Sequence, residues 1–168
     1  MLNAAHHRAA FSCGAPALDR YLTQQAGQDM RRGVARVFVL CENGLLDVLG
    51  YYTLSATSIE YGDLPAEIAR RLPRYPTLPA LLLGRLSVDG RRQGQGLGQL
   101  LLSSALRRCL QVSQSDIAAM AVVVDAKDED AARFHARHDF IRFPSQPMRL
   151  FLPMPTLDAI YGLPQPTP

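Results

Sequence analysis

A glycine-rich octapeptide between two apolar segments is the feature that most constrains the fold of this chain. The apolar run 81–88 precedes it, the octapeptide itself spans 91–98 (Arg-Arg-Gln-Gly-Gln-Gly-Leu-Gly), and the leucine-rich run 100–110 follows it. This order predicts a strand, a tight turn and a helix. Glycines leave backbone N–H groups uncovered by Cβ atoms, and a helix N-terminus favours negative charge. The segment therefore predicts a phosphate or pyrophosphate site, with an ordinary turn before a helix as the alternative.

Two common nucleotide loops do not fit the octapeptide. A Walker A loop requires a Lys-Ser or Lys-Thr pair after its last glycine, whereas Gly98 is followed by Gln99 and Leu100. A dinucleotide fingerprint requires G-x-G-x-x-G and an acidic residue on a second strand. Here the glycines alternate at Gly94, Gly96 and Gly98, and no acidic residue is suitably placed. Both loop classes are therefore excluded.

The whole chain bounds the class of protein. A length of 168 residues predicts one domain, which we place at 1–158, followed by a proline-rich tail at 159–168. The first ten residues lack the apolar core of a signal peptide, and no apolar run approaches the roughly 18 residues of a membrane span. The cysteines lie far apart, so neither a disulfide framework nor a metal site is expected. A cytoplasmic location is the expectation.

Hydrophobic periodicity predicts alternating helices and strands along the chain. The expected helices are 16–28, 65–72, 96–112 and 128–138. The expected strands are 34–40, 46–55, 80–88, 117–124, 140–143 and 148–154. The run 117–124 is apolar throughout, which suits a strand covered on both faces. This order predicts an α/β (α+β) layer fold around one central sheet.

The octapeptide resembles the acetyl-CoA loop of the GNAT N-acetyltransferases, Arg/Gln-x-x-Gly-x-Gly/Ala, with Arg91, Gly94 and Gly96 in the fixed positions. The element order over roughly 10–155 is also similar to that family. The resemblance implies a GNAT-like central sheet, mixed but mostly antiparallel, with helices on both faces. Four further segments resemble the GNAT-type toxins of type II toxin–antitoxin pairs: 33–39, 50–55, 83–89 and 148–154.

The resemblance implies a function and a set of partners. Such toxins use acetyl-CoA, without a metal, to acetylate the α-amino group of aminoacyl-tRNA, which blocks translation. Their partner is a cognate antitoxin with a ribbon-helix-helix DNA-binding part, and a homodimer is possible. No membrane partner is implied. An N-acetyltransferase for a small-molecule or protein amine is the alternative enzyme.

The resemblance also implies the cofactor-binding residues. The backbone of Leu86, Ser87 and Val88 is expected to run beside the pantetheine arm and to supply an oxyanion donor. The pyrophosphate is expected on the loop, so the predicted cofactor residues there are Arg91, Arg92, Gln93, Gly94, Gln95, Gly96, Leu97 and Gly98. For Arg91 and Arg92, a solvated charge without a phosphate contact is the alternative.

The predicted catalytic residue, His135, departs from the family pattern. These toxins carry Phe-Tyr-x-x-x-Gly-Phe, in which the Tyr is thought to protonate the leaving thiolate. Here residues 134–140 are Phe-His-Ala-Arg-His-Asp-Phe, so His135 replaces the Tyr and Asp139 replaces the Gly. A histidine pKa of about 6.5 lies below the roughly 8.5 of a thiol, so a histidine can serve as the acid. Three roles stay open: a replacement acid, a weakened enzyme that relies on water, and an inactive acyl-CoA-binding protein.

Arginine dominates the basic residues, since Lys127 is the one lysine among the 18 basic positions. A tRNA substrate requires a basic footprint. The predicted RNA-binding residues are Arg31, Arg32, Arg36 and Arg85, with Arg70, Arg71 and Arg74 as further candidates. Solvated surface charges are the alternative for each of them.

Overall fold

The computed structural model describes residues 1–42 and 44–162. Its strands are β1 (Arg36–Cys41), β2 (Val48–Glu60), β3 (Thr77–Val88), β4 (Ala121–Asp125), β5 (Ile141–Phe143) and β6 (Gln146–Pro153). Its α-helices are α1 (Pro16–Arg20), α2 (Ala26–Arg31), α3 (Ala66–Ala69), α4 (Leu97–Ser115), α5 (Glu129–Ala136) and α6 (Met154–Tyr161). A π-helical turn, Tyr21–Gln25, joins α1 to α2, and 3-10 turns span Tyr61–Asp63 and Gly90–Arg92.

The strands form one six-stranded sheet in the order β1-β2-β3-β4-β6-β5. Strands β1 and β2 pair antiparallel, with Phe38 opposite Tyr52. Strand β6 pairs antiparallel with both β4 and β5. The predicted α/β fold with a mostly antiparallel sheet is confirmed.

The chain divides into two compact units, of which the first comprises Met1–Ser55 and Leu83–Ala105. Its core is built around Tyr51, whose ring contacts those of Phe11 and Tyr21 at centroid distances of 5.6 and 6.2 Å. The Tyr51 hydroxyl donates to the Leu18 carbonyl at 2.8 Å, which ties α1 to β2. The π-helical turn after α1 is thus fixed by aromatic packing on β2, and α1 itself is fixed by a hydrogen bond.

The second unit comprises Ala56–Leu82 and the chain from Leu106 onward. Residues 121–124 of β4 are at most 1% exposed, which confirms a strand covered on both faces. Phe143 and Phe151 pack at a centroid distance of 4.7 Å in the same core. Helix α5 begins where the Asp128 carboxylate accepts the Ala131 N–H at 2.8 Å, an N-cap that the acidic sequence there favours.

The predicted strand at 117–124 is wrong at its start. Strand β4 begins at Ala121, and the Ile117 side chain is 66% exposed. The Ile117 N–H donates to the Val112 carbonyl at 3.0 Å, so it closes the end of α4 instead of pairing in the sheet. Helix α4 accordingly runs three residues past its predicted end, to Ser115.

The predicted start of the strand before the glycine loop, at residue 80, is also wrong. Strand β3 begins at Thr77 and includes Pro79, whose carbonyl accepts the Met120 N–H at 2.8 Å. A proline removes only a donor, so its carbonyl can still pair. Strand β2 likewise extends to Glu60, past the predicted strand end at residue 55.

The last described helix reaches into the predicted tail, whose boundary stays a prediction. Helix α6 takes in residues 159–161 of the predicted tail, and its Leu157 is fully buried. The tail residues 163–168 and Asn43, in the predicted β1–β2 turn, lie outside the described residues. Within 1–42 and 44–162, no helix is long and apolar enough to span a bilayer.

Candidate active site

The glycine loop lies between β3 and α4, as the sequence predicts. Gly94 and Gly96 adopt φ values of +75° and +79°, which disfavour any residue with a Cβ. A Cβ built on either glycine meets no atom of the described residues within 4 Å, so the loop is open on that side. The first N–H groups of α4 have no partner within their own helix. The backbone N–H groups of the loop and of the first turn of α4 are therefore suited to bind an anion on the open side of the loop.

The buried carboxylate of Asp89 holds the start of the glycine loop by hydrogen bonds. Asp89 is 1% exposed and accepts the Arg91 backbone N–H at 3.0 Å and the Arg91 Nε–H at 2.8 Å. It also accepts the Ser12 N–H at 3.4 Å. The hydrogen bond from the Arg91 side chain is the main cause that lowers the pKa of Asp89 to about 2. Sequence analysis assigned Asp89 no role, because its partner Ser12 is distant in the chain.

Both loop arginines are paired within the protein. The Arg91 guanidinium makes a two-point contact with Asp89, since its Nη2 also donates to Oδ2 at 2.9 Å. The Arg92 Nη2 donates to Glu42 Oε2 at 3.0 Å. The Gln93 side-chain amide donates to the carbonyls of Cys13 and Val88 at 3.0 and 3.1 Å. These three side chains hold the loop, and phosphate contact by either arginine stays a prediction.

Gly50 of β2 packs against the end of β3. A Cβ built on Gly50 would lie 2.9 Å from the Ser87 carbonyl oxygen and 2.7 Å from Leu101 Cδ1. The Asp89 N–H donates to the Leu49 carbonyl at 2.8 Å next to this contact. Gly50 therefore sets the position of the backbone that is predicted to run beside pantetheine. A glycine inside a strand is the sequence signal for such a close approach.

His135 lies on α5 in an aromatic environment. Its ring is 5.2 Å from that of Phe134 and 5.3 Å from that of Phe140, and the residue is 8% exposed. Its Nδ1 has no hydrogen-bond partner among the described residues. Burial, with a smaller contribution from the His138 charge, lowers the pKa of His135 to about 4. The expectation of an ordinary histidine pKa is wrong, and the imidazole is neutral near pH 7.

Asp139, the other departure from the family pattern, adopts a left-handed backbone conformation. Its φ is +66°, the one positive φ of a non-glycine residue among the described positions. Aspartate tolerates this region better than most residues with a Cβ. Glycine also adopts this conformation without strain, so Asp139 occupies a position that would suit the glycine of the family pattern.

The predicted RNA-binding arginines differ in their surroundings. Arg85 is half-buried, and its guanidinium carbon lies 3.7 Å from the centre of the Tyr21 ring, a cation–π contact. Arg31, Arg32 and Arg36 are exposed in the same unit. The tertiary contact with Tyr21 distinguishes Arg85 from a plain solvated charge.

The environment of His135 predicts a loss of stability on acidification. The unfolded chain takes up a proton at an ordinary pKa of about 6.5, whereas the folded chain does so only at a pKa of about 4. Protonation therefore favours the unfolded chain throughout this window, and the free energy of unfolding falls by about 3 kcal/mol as the pH falls. Urea unfolding at pH 7 and pH 4 measures the loss. The variant His135→Phe has nothing to protonate, so an equal loss in that variant would contradict the assignment.

This chain is similar to known acetyltransferases in both sequence and structure. Residues 20–140 match the model of the Acetyltransferase (GNAT) family. A curated relative, the tRNA-acetylating toxin of Mycobacterium tuberculosis, is 38% identical over 152 residues, which cover 90% of this chain and 89% of the relative. The structure of AtaT complexed with acetyl-methionyl-tRNAfMet has a TM-score of 0.87, with 30% identity over 95% of this chain and 94% of that chain. A mutant AtaT bound to acetyl-CoA and the C-terminus of its antitoxin AtaR has a TM-score of 0.81, with 27% identity over 96% and 94% of the two chains.

Proposed function

Because the chain belongs to the GNAT family of acetyltransferases, we propose that it is a toxin that acetylates the α-amino group of aminoacyl-tRNA. One observation carries the choice of substrate: the 38% identity to a tRNA-acetylating toxin extends over 90% of the chain. An acylated α-amino nitrogen is no longer a nucleophile for peptide-bond formation. The product therefore blocks translation.

The loop and the strand before it fit acetyl-CoA. This co-substrate supplies a thioester carbonyl as the acetyl donor and a pyrophosphate for binding. The open side of Gly94 and Gly96 and the N-terminus of α4 offer backbone donors to the pyrophosphate. The backbone of 86–88, held in place by Gly50, is proposed to line the pantetheine arm and to donate to the oxyanion.

The proton transfers that the reaction requires favour a weakened enzyme over one in which His135 is a replacement acid. The amine of an aminoacyl ester is less basic than that of lysine, so no dedicated base is required. The leaving thiolate does require a proton. His135 is neutral near pH 7 because its burial lowers its pKa to about 4, so it holds no readily released proton. We therefore propose that water supplies this proton. His135 then occupies the position of the acid in the family pattern but does not act as the acid.

An antitoxin is the proposed protein partner. The related AtaT is found bound to the C-terminus of its antitoxin AtaR. For this chain we propose a cognate antitoxin with a ribbon-helix-helix DNA-binding part, and we propose a homodimer as its assembly.

A transfer assay tests the function directly. The purified chain is incubated with labelled acetyl-CoA and a mixture of charged tRNAs, and the label is followed in the aminoacyl-tRNA fraction. We expect label on the aminoacyl group and none on uncharged tRNA. A polyamine and a lysine-rich peptide serve as competing acceptors. Label on those acceptors but not on charged tRNA would overturn the tRNA proposal and favour the alternative enzyme.

Neutralising the proposed footprint is expected to weaken tRNA use alone. The variant Arg36→Gln/Arg85→Gln removes two positive charges, so the slope of log affinity for tRNA against log salt should fall by about 1.5. The affinity for acetyl-CoA should not change. The control Arg133→Gln removes a charge that Asp130 and Glu129 already balance. An unaltered salt slope in the double variant would show that these arginines are only solvated charges.

A further inference from the structure

A basic and aromatic surface follows α3, and it adds Tyr75 to three arginines that the sequence offers as further RNA-binding candidates. Arg70, Arg71, Arg74 and Tyr75 lie within six residues of one another and are all exposed. The Tyr75 side chain is the most exposed of the aromatic ones among the described residues, at 62%. We call these four residues the Tyr75 surface.

The charges of the Tyr75 surface are uncompensated. Among the described residues, its three arginines form no ion pair and the Tyr75 ring makes no ring contact. Arg91, Arg92 and Arg142, in contrast, are each bound to a carboxylate. The one acidic residue on α3, Glu67, is exposed and is outnumbered by the three guanidinium groups. The surface therefore presents a local excess of positive charge.

The backbone that carries this surface is fixed at both ends by Tyr61. The Tyr61 hydroxyl donates to the Ala69 carbonyl at 2.9 Å, and the Tyr61 N–H donates to the Pro76 carbonyl at 3.0 Å. The Tyr61 ring packs against the core of the second unit. Pro73 and Pro76 restrict the backbone on either side of Tyr75. A ligand therefore meets a preorganised surface and loses less free energy in ordering it.

An exposed aromatic ring among unpaired arginines is suited to single-stranded nucleic acid. Unpaired bases stack on aromatic faces, and guanidinium groups bind the phosphates between them. An acidic protein segment satisfies the charges equally well, but its carboxylates do not stack on the ring as nucleobases do. The combination therefore favours RNA over a protein ligand.

We propose that the Tyr75 surface binds an unpaired segment of the RNA substrate, with Tyr75 stacked on a base and Arg70, Arg71 and Arg74 on phosphates. This assignment rests on the proposed function, since it places part of the tRNA on this surface. The stacking of Tyr75 on a nucleobase adds a contact that purely electrostatic binding of phosphates lacks. Preference for particular tRNAs can then arise from the unpaired base that reaches Tyr75.

The test compares ring and charge variants with matched controls. Tyr75→Ala should weaken binding of a fluorescent single-stranded RNA by about 5- to 100-fold and raise the KM for charged tRNA, whereas Tyr75→Phe should behave as the parent chain. Replacing the three arginines with Gln should reduce the salt slope by about 2. Arg133→Gln is the charge control, and acetyl-CoA affinity should be unchanged in every variant.

The outcomes separate this proposal from the proposed function. A parent chain that does not acetylate charged tRNA overturns the function, whereas single-stranded RNA binding that depends on Tyr75 still supports the surface. A parent chain that acetylates tRNA while Tyr75→Ala matches it in KM and RNA affinity overturns the surface alone. An oligo-aspartate peptide that binds as tightly as RNA, and equally well to Tyr75→Ala, also overturns it, because the surface would then be a general anion site.

Discussion

Replacement of His135 with tyrosine is expected to raise the turnover of charged tRNA by about 100-fold or more. A positioned general acid contributes about 10²- to 10⁴-fold. The buried imidazole is neutral near pH 7, because its pKa is lowered to about 4, and under the proposed function it does not supply that acid. A phenol carries an O–H at this pH and stands at the position that the family pattern gives to the acid. Single-turnover acetyl transfer to charged tRNA measures the gain.

The control for this experiment is His135→Phe. It keeps an aromatic ring in the same environment without a proton to donate, so its turnover should not exceed that of the parent chain. Acetyl-CoA affinity and the midpoint of thermal unfolding establish that each variant is folded and binds the cofactor. A gain in both variants would show that packing around residue 135 limits turnover, and a gain in neither would contradict the general-acid explanation.

Replacement of Asp89 with alanine is expected to abolish detectable acetyl-CoA binding and to lower the free energy of unfolding by about 3 kcal/mol. The carboxylate accepts hydrogen bonds from Arg91 and Ser12 while 1% exposed. Its removal leaves the Ser12 and Arg91 donors without this acceptor and releases the turn that leads into the glycine loop. Urea unfolding measures the stability, and titration calorimetry measures the affinity.

The matched control is Asp125→Ala, at the end of β4. Its ion pair with the half-buried Arg149 spans 3.7 Å and its own side chain is exposed, so we expect a change below about 1 kcal/mol. The lowered pKa of Asp89 adds a pH test. The stabilisation by its carboxylate is complete above its ordinary pKa of 3.8 and is lost as the pH falls towards its folded value of about 2. Equal effects of the two substitutions would contradict a special role for Asp89.

The glycine loop was predictable because its physics is local. Alternating glycines, a preceding apolar run and a following helix are all contained in one short segment, and the positive φ of Gly94 and Gly96 agrees with it. The N-cap Asp128 is a local signal of the same kind. Segments of this sort need no tertiary information.

The support of the loop was not predictable, because it depends on residues distant in the chain. Ser12 and Asp89 are brought together only by the fold, as are Gly50 and Ser87. The pKa of His135 depends on burial, which its type and position do not reveal. Helix α6 was missed because the prolines at 153 and 155 suggest an irregular segment, although proline is compatible with a first helical turn.

The close contact at Gly50 has a consequence for how such a protein can vary. Since even a methyl group there would overlap the Ser87 carbonyl and Leu101, every other amino acid forces β2 away from β3. The spacing between β2 and β3 at this point thus depends on the absence of a side chain at residue 50. This residue lies outside the glycine loop and is not a candidate catalytic residue. In a genetic selection against the proposed toxin activity, we expect missense changes at codon 50 among the survivors.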